Sequence, residues 1–136
     1  MLIRSFFIIY LSLVSVVCSG RPLRKDVSYL DRQFIFTQNI SKLIQFIYST
    51  GYKCTLGETF RSREQALIYA KLGKGISDSN HCYRLAIDIN LFDKKNEYLH
   101  DTKEYEVFGE YWEKLNPFNE WGGRWIRSDG NHFEMD

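Results

Sequence analysis

The sequence is poor in the residues on which several kinds of protein depend. Only three of its 136 residues are cysteine, Cys18, Cys54 and Cys82. They are too few and too scattered for a disulfide-dense secreted scaffold or a four-cysteine zinc site, so any metal must be held mainly by other residues. Charge of either sign in excess is also missing: 18 Lys and Arg stand against 17 Asp and Glu, a formal net charge of +1. Nothing in that balance draws the chain toward nucleic acid or anionic lipid, where clustered cations must neutralise phosphate. Prolines number two and hydrophobic residues reach 44%. A chain of this composition and length argues against disorder and for one folded unit with a core of its own.

No apolar run reaches the ~20 residues that span a bilayer. What is present is a shorter one: residues 5–20, SFFIIYLSLVSVVCSG, carry no charge, with Arg4 before them and Arg21, Arg24 and Lys25 after. Its dense part, Phe6 to Val17, fits the h-region of a signal peptide, with cleavage near Ser19 or Gly20. Cys18 is a poor lipoprotein site, because Val17 stands where a small residue is wanted. The competing reading is a buried first helix, which hydropathy alone does not separate from an h-region. We therefore divide the chain into an export segment, 1–20, and a folded domain, 21–136, that is exported and has no stable membrane anchor after processing. Cys54 and Cys82 remain in that domain, and their pairing is left open by the sequence.

Within the domain, Ile40, Leu43, Ile44 and Ile47 recur at helical spacing between Asp31 and Thr50, and Gly51 ends the helix. YKCTLGETF alternates like a strand and runs into Arg61. Ser62, with Gln65 three residues on, has the capping-box pattern, which predicts a second helix to about Leu72. The stretch from Gly73 to Asn80 is polar and flexible, a loop with His81 at its end. YRLAIDINLF carries the clearest strand signal: Leu85, Ile87, Ile89 and Leu91 face the core, and Asp88 faces the other way. Tyr105, Phe108, Trp112 and Leu115 give a third helix closed by Asn116-Pro117. WGGRW, the turn Ser128-Asp129-Gly130-Asn131 and His132-Phe133-Glu134 read as a hairpin, with Trp121, Trp125 and Tyr111 in the core. The class is α+β, with a small antiparallel sheet flanked by helices.

Histidine is scarce too, and two of the three are informatively placed: His81 lies seven residues before Asp88, and His132 three after Asp129. A catalytic zinc takes three nitrogen or oxygen ligands and keeps a fourth position open. His81, Asp88 and His132 supply such a set if their strands are neighbours. Asp129 could then take the proton of a water, and Glu134, on the same face of its strand as His132, competes for that role or supports the histidine. Arg61, permanently charged, suits a substrate carboxylate or a developing oxyanion. Cys82 is a rival ligand, but as the neighbour of His81 in an extended chain it would point the opposite way. Each residue also has a plainer reading: either histidine as an ordinary surface or core residue, Asp129-Gly130 as a turn, Arg61 as a surface ion-pair partner. Asp88 is harder to dismiss, since a carboxylate on a half-buried sheet calls for a partner.

SNHCYRLAID, WGGRW and DGNHF, together with GETFRSREQ, are similar in order and content to the zinc D-alanyl-D-alanine carboxypeptidases and phage L-alanyl-D-glutamate endopeptidases, across residues 22–136. The resemblance implies their Hedgehog/DD-peptidase-like fold and a zinc-dependent peptidase that cuts the stem peptides of bacterial peptidoglycan. It implies His81, Asp88 and His132 as zinc ligands, Asp129 as the acid and base, and Arg61 as the residue that binds substrate or stabilises the oxyanion. Ser79 and Gln65 fall in the matching segments, Ser79 as a hydrogen-bonding support. Asp129, where many carboxypeptidases carry Glu, leans toward the phage endopeptidases, whereas the export segment is unusual for a phage lysin released through a pore. The expected protein is a monomer in the periplasm or cell envelope, phage-encoded or bacterial. The rival is a zinc-containing wall-binding module of the same fold without turnover.

Overall fold

The computed structural model describes residues 27–136, so the export segment expected at 1–20 lies outside the described residues. Helix α1 spans Tyr29–Ser49, capped by the Ser28 side chain, which accepts from the Asp31 N–H. Its buried stripe is Phe36, Asn39, Ile40, Leu43 and Ile47, and the chain leaves it through Gly51 in the left-handed conformation at φ +84°. Strand β1 is Lys53–Leu56. It ends before Arg61, although Gly57 and Glu58 still pair with the backbone of Asp88. Helix α2, Arg63–Lys71, begins where predicted, with the Ser62 hydroxyl accepting from the Gln65 N–H at 3.1 Å.

Strand β2, Ala86–Phe92, is followed by helix α3, Glu106–Leu115, then by strand β3, Asn119–Trp121, and strand β4, His132–Met135. The sheet order is β1-β2-β4-β3, antiparallel throughout. Single 3-10 turns precede β2 and α3, at Asn80–Tyr83 and Thr102–Tyr105, and a third, Gly122–Arg124, opens the β3–β4 connection. The first corrects the expectation of plain loop at His81, which sits inside a tight turn rather than at the end of an irregular one. Ser79 caps that turn, and Arg84 leaves it with φ +56°.

One face of the sheet packs on α1 and α3. Leu43, Ile47, Leu85, Ile89, Leu91, Phe108, Trp112 and Phe133 are all essentially sealed from solvent. Each such side chain contributes about 1.5–3 kcal/mol by burial. Trp112 ties the layers together: its ring meets Phe36 and Phe133 edge-on, and its Nε1–H donates to the carbonyls of Glu120 and Glu134. The backbones of β3 and β4 are thus fixed from behind, which settles where the side chains on their front face stand. Trp121 is buried as expected, while Tyr111 is only half-buried, stacked on Phe46. Cys54 and Cys82 are free thiols, so the pairing question is answered in the negative.

Candidate metal centre

The alternation of β2 turns Ile87 and Ile89 into the core and Asp88 to the front. The register of β2 with β4 sets Asp88 directly opposite His132. His81, 1% exposed, comes in from the 3-10 turn just before β2. Asp88 Oδ1 lies 3.3 Å from His81 Nε2 and 3.1 Å from His132 Nδ1, and the two rings meet edge-on with centroids 5.0 Å apart. One ligand atom from each of the three residues falls within 4.8 Å of the others. The other nitrogen of His132, Nε2, lies 3.0 Å from Glu134 Oε2. That contact fixes the ring and leaves Nδ1 facing the triad, the arrangement in which an outer carboxylate orients a metal-binding histidine. Glu134 is thereby engaged with His132, not with the open side of the cluster.

Electrostatics follow from this closeness. Burial pushes the Asp88 carboxyl up, but hydrogen bonds with His132 and His81 outweigh it and hold the group down at about 2. Burial works against the charged form of His132, and the hydrogen bonds to Asp88 and Glu134 prevail, raising it to about 9. Cation and anion support each other here, and a metal ion would take over the role of the proton they share. The donor set, two imidazole nitrogens and one carboxylate oxygen converging from rigid elements, fits zinc with an open position.

Asp129 stands in the turn before β4. Its N–H donates to the Gly122 carbonyl at 2.9 Å, and its own carbonyl accepts from the His132 N–H. Gly122 is required by this approach, since a Cβ there would lie 2.7 Å from the Asp129 carbonyl oxygen and 3.1 Å from His132 Cβ. The Asp129 side chain opens to solvent, yet the protein around it strips enough water to push its carboxyl up, against the pull of the His132 charge. A carboxylate with raised proton affinity beside the triad is suited to take up and return a proton.

Arg61 sits at the junction between β1 and α2. Its guanidinium is paired with Glu58, with Nε 3.0 and 3.1 Å from the two carboxylate oxygens, and its Nη1 donates to Ser79 Oγ at 3.3 Å. The same Ser79 hydroxyl accepts from the His81 N–H, so one serine connects the arginine to a triad residue. Tyr69 lies against the guanidinium at 5.0 Å. Gln65 takes part through its backbone N–H, which donates to the Ser62 hydroxyl at the start of α2. Cys82 is kept from the triad by the 3-10 turn rather than by strand alternation, and its thiol faces the Ser62 carbonyl.

Two residues of the site escaped the sequence reading. Glu58, whose ion pair sets the Arg61 guanidinium, lies only three positions before it, a spacing that was there to be noticed. Trp125, expected in the core, is half-buried and leans on the His132 ring at 4.9 Å, its Nε1–H held by Glu120.

The fold and cluster define a class: a small α+β domain with a candidate metal centre built on adjacent antiparallel strands. Residues 73–135 match the family model described as D-alanyl-D-alanine carboxypeptidase. The segment that holds the triad thus matches this peptidase family, the one the sequence resembles. The fold is shared with the crystal structure of the Serratia marcescens L-Ala D-Glu endopeptidase ChiX, with a TM-score of 0.63 and 18% identity, over 74% of this chain and 77% of that one. No curated protein matches the chain by sequence.

Proposed function

We propose that the protein is a zinc-dependent peptidase that hydrolyses amide bonds in the stem peptides of bacterial peptidoglycan, at the L-alanyl-D-glutamate or the terminal D-alanyl-D-alanine bond. The observation that carries this reading is the convergence of His81, Asp88 and His132 within 4.8 Å, in a segment matching a peptidase family. His81, Asp88 and His132 would hold the zinc, which when bound supplies Lewis acidity and lowers the pKa of a bound water toward about 7.

The chain's own residues do the rest. Asp129 takes the proton from the attacking water and returns it to the leaving amine. The Arg61 guanidinium, held in place by Glu58 and Ser79, faces the negative charge that grows on the substrate carbonyl oxygen. Glu134 and Trp125 keep the His132 ring from turning, so that Nδ1 stays aimed at the cluster. The substrate is a wall polymer, which sets the place of action outside the cytoplasmic membrane, consistent with an export segment at 1–20. Among the described residues no helix is long and apolar enough to cross a membrane.

The test is mass analysis of purified muropeptides incubated with the protein, zinc-loaded and chelator-treated in parallel. Zinc-dependent release of the stem at L-Ala is expected for the endopeptidase, and loss of one D-Ala for the carboxypeptidase. Zinc retained with no product from any stem would move the assignment to a wall-binding module.

A further inference from the structure

Around the triad, the cationic side chains are not equivalent. Arg61 is neutralised by Glu58. Arg127 is exposed, lies two residues before Asp129 and forms no ion pair among the described residues. Its Nη1 donates to the Gly73 carbonyl at 2.9 Å, across to the loop that leads to His81. That loop meets Arg61 from its other end: a Cβ on Gly75 would lie 3.6 Å from Arg61 Nη1, and the Lys74 N–H donates to the carbonyl of Tyr69, whose ring lies against Arg61. Two guanidinium groups thus approach one short loop, at Gly73 and at Gly75, and among the described residues only Arg61 is in an ion pair with a carboxylate. The Gly73 carbonyl occupies one of the donors of Arg127 and fixes the arm, which leaves other N–H groups of the fork for a planar anion. Arg127 is also close enough to Asp129 to favour its charged form.

We propose that Arg127 determines specificity by binding a carboxylate on the leaving side of the substrate, on the carbon next to the scissile nitrogen. The inference rests on the peptidase reading above and follows from its proton path. If Asp129 protonates the leaving amine, the leaving residue lies against the Asp129 turn, and Arg127 is the unpaired cation of that turn. Both candidate bonds present the required group: the terminal carboxylate of D-Ala in one, and the free α-carboxylate of a D-Glu linked through its side chain in the other. One guanidinium therefore serves either bond, and selects against substrates in which that carboxylate is amidated.

The experiment uses the zinc-loaded full chain and two synthetic stem peptides, identical except that the leaving residue carries a free carboxylate or a carboxamide. Wild-type protein is expected to favour the carboxylate peptide by about tenfold in kcat/KM, mainly through KM, as suits an exposed charge-assisted contact. Arg127→Gln should bring that ratio close to one, and Arg127→Lys should keep part of it. Equal use of both peptides by the wild type, or an undiminished ratio in Arg127→Gln, would overturn the assignment. A thermal midpoint on each variant reports loss of the Gly73 bond separately, and if Arg127→Gln does not fold, the wild-type ratio and the Lys variant decide. Zinc-bound wild type that cuts neither peptide nor any muropeptide defeats the peptidase reading itself, and the role of Arg127 with it.

Discussion

The two sides of the candidate site are made differently. On the sheet side, Asp88, His132 and Glu134 project from paired strands whose backs are sealed by Ile87, Phe133 and Trp112, and every contact among them is local to one register. On the loop side, Arg61, Ser79, Arg127 and Asp129 stand at junctions and turns, joined by single hydrogen bonds across long stretches of chain. Helix α2, which borders that side, buries only Ala66 and leaves Leu67, Ile68 and, just beyond it, Leu72 half exposed. Under the proposed function the difference becomes a division of labour: the part that would hold an ion at fixed distances is built on core packing, whereas the part that would admit a substrate is tied loosely.

The sharpest way to break this contrast is to remove a sheet-side ligand. His132→Ala is expected to abolish zinc retention and drop cleavage to background while the far-UV circular dichroism stays folded, and metal analysis of the purified variant checks it. A loop-side change should separate binding from turnover: Asp129→Asn is expected to retain zinc and lose about 10²–10⁴-fold in kcat. Normal kcat in that variant would remove Asp129 from the mechanism. Glu134→Gln weakens the hold on His132 without removing a ligand, so zinc affinity should fall about 10–100-fold, measured by competition with a chromogenic chelator.

Protons probe the sheet side in the metal-free protein. Asp88 is held at about 2 against its ordinary 3.8, so its contribution to stability is complete above about 3.8 and is lost as pH falls toward 2. His132 is raised from 6.5 to about 9, so its contribution is complete below about 6.5 and is lost as pH rises through 9. Chelated protein should therefore melt highest between about pH 4 and 6.5, and zinc should flatten the alkaline fall, since zinc needs His132 unprotonated. The smallest effect is expected on the loop side: Ile126, fully exposed, can become Ser with a change within about 0.5 kcal/mol, read from a denaturant midpoint.

Legibility in the sequence followed the same divide. The alternation around Asp88 and the short interval from Asp129 to His132 are local patterns, and a period of two already turns Asp88 away from the core. The helices were readable from their apolar stripes and from Ser62. The pairing of Asp88 with His132 was not, because register between segments 44 residues apart is set by packing and not by either segment alone. The polar run before His81 predicts a loop end there, whereas the turn of Asn80–Tyr83 depends on a Ser79 cap and a left-handed Arg84 that no periodicity announces. Trp125 is expected in the core, yet its ring leans on the His132 side chain. Contacts such as Arg127 with Gly73 join two irregular segments, for which sequence holds no repeating signal.

The position of β4 has a consequence in time. Last of the strands to be synthesised, it occupies an interior place in the sheet, between β2 and β3. A nascent chain that has not yet yielded β4 has β2 and β3 without their shared neighbour, and Asp88 without the partner across from it. Such non-local pairing delays folding until the separated segments have met. During synthesis, then, the pairing of β1 with β2 can precede β4, but neither the full sheet nor the cluster of His81, Asp88 and His132 is complete until β4 has been made.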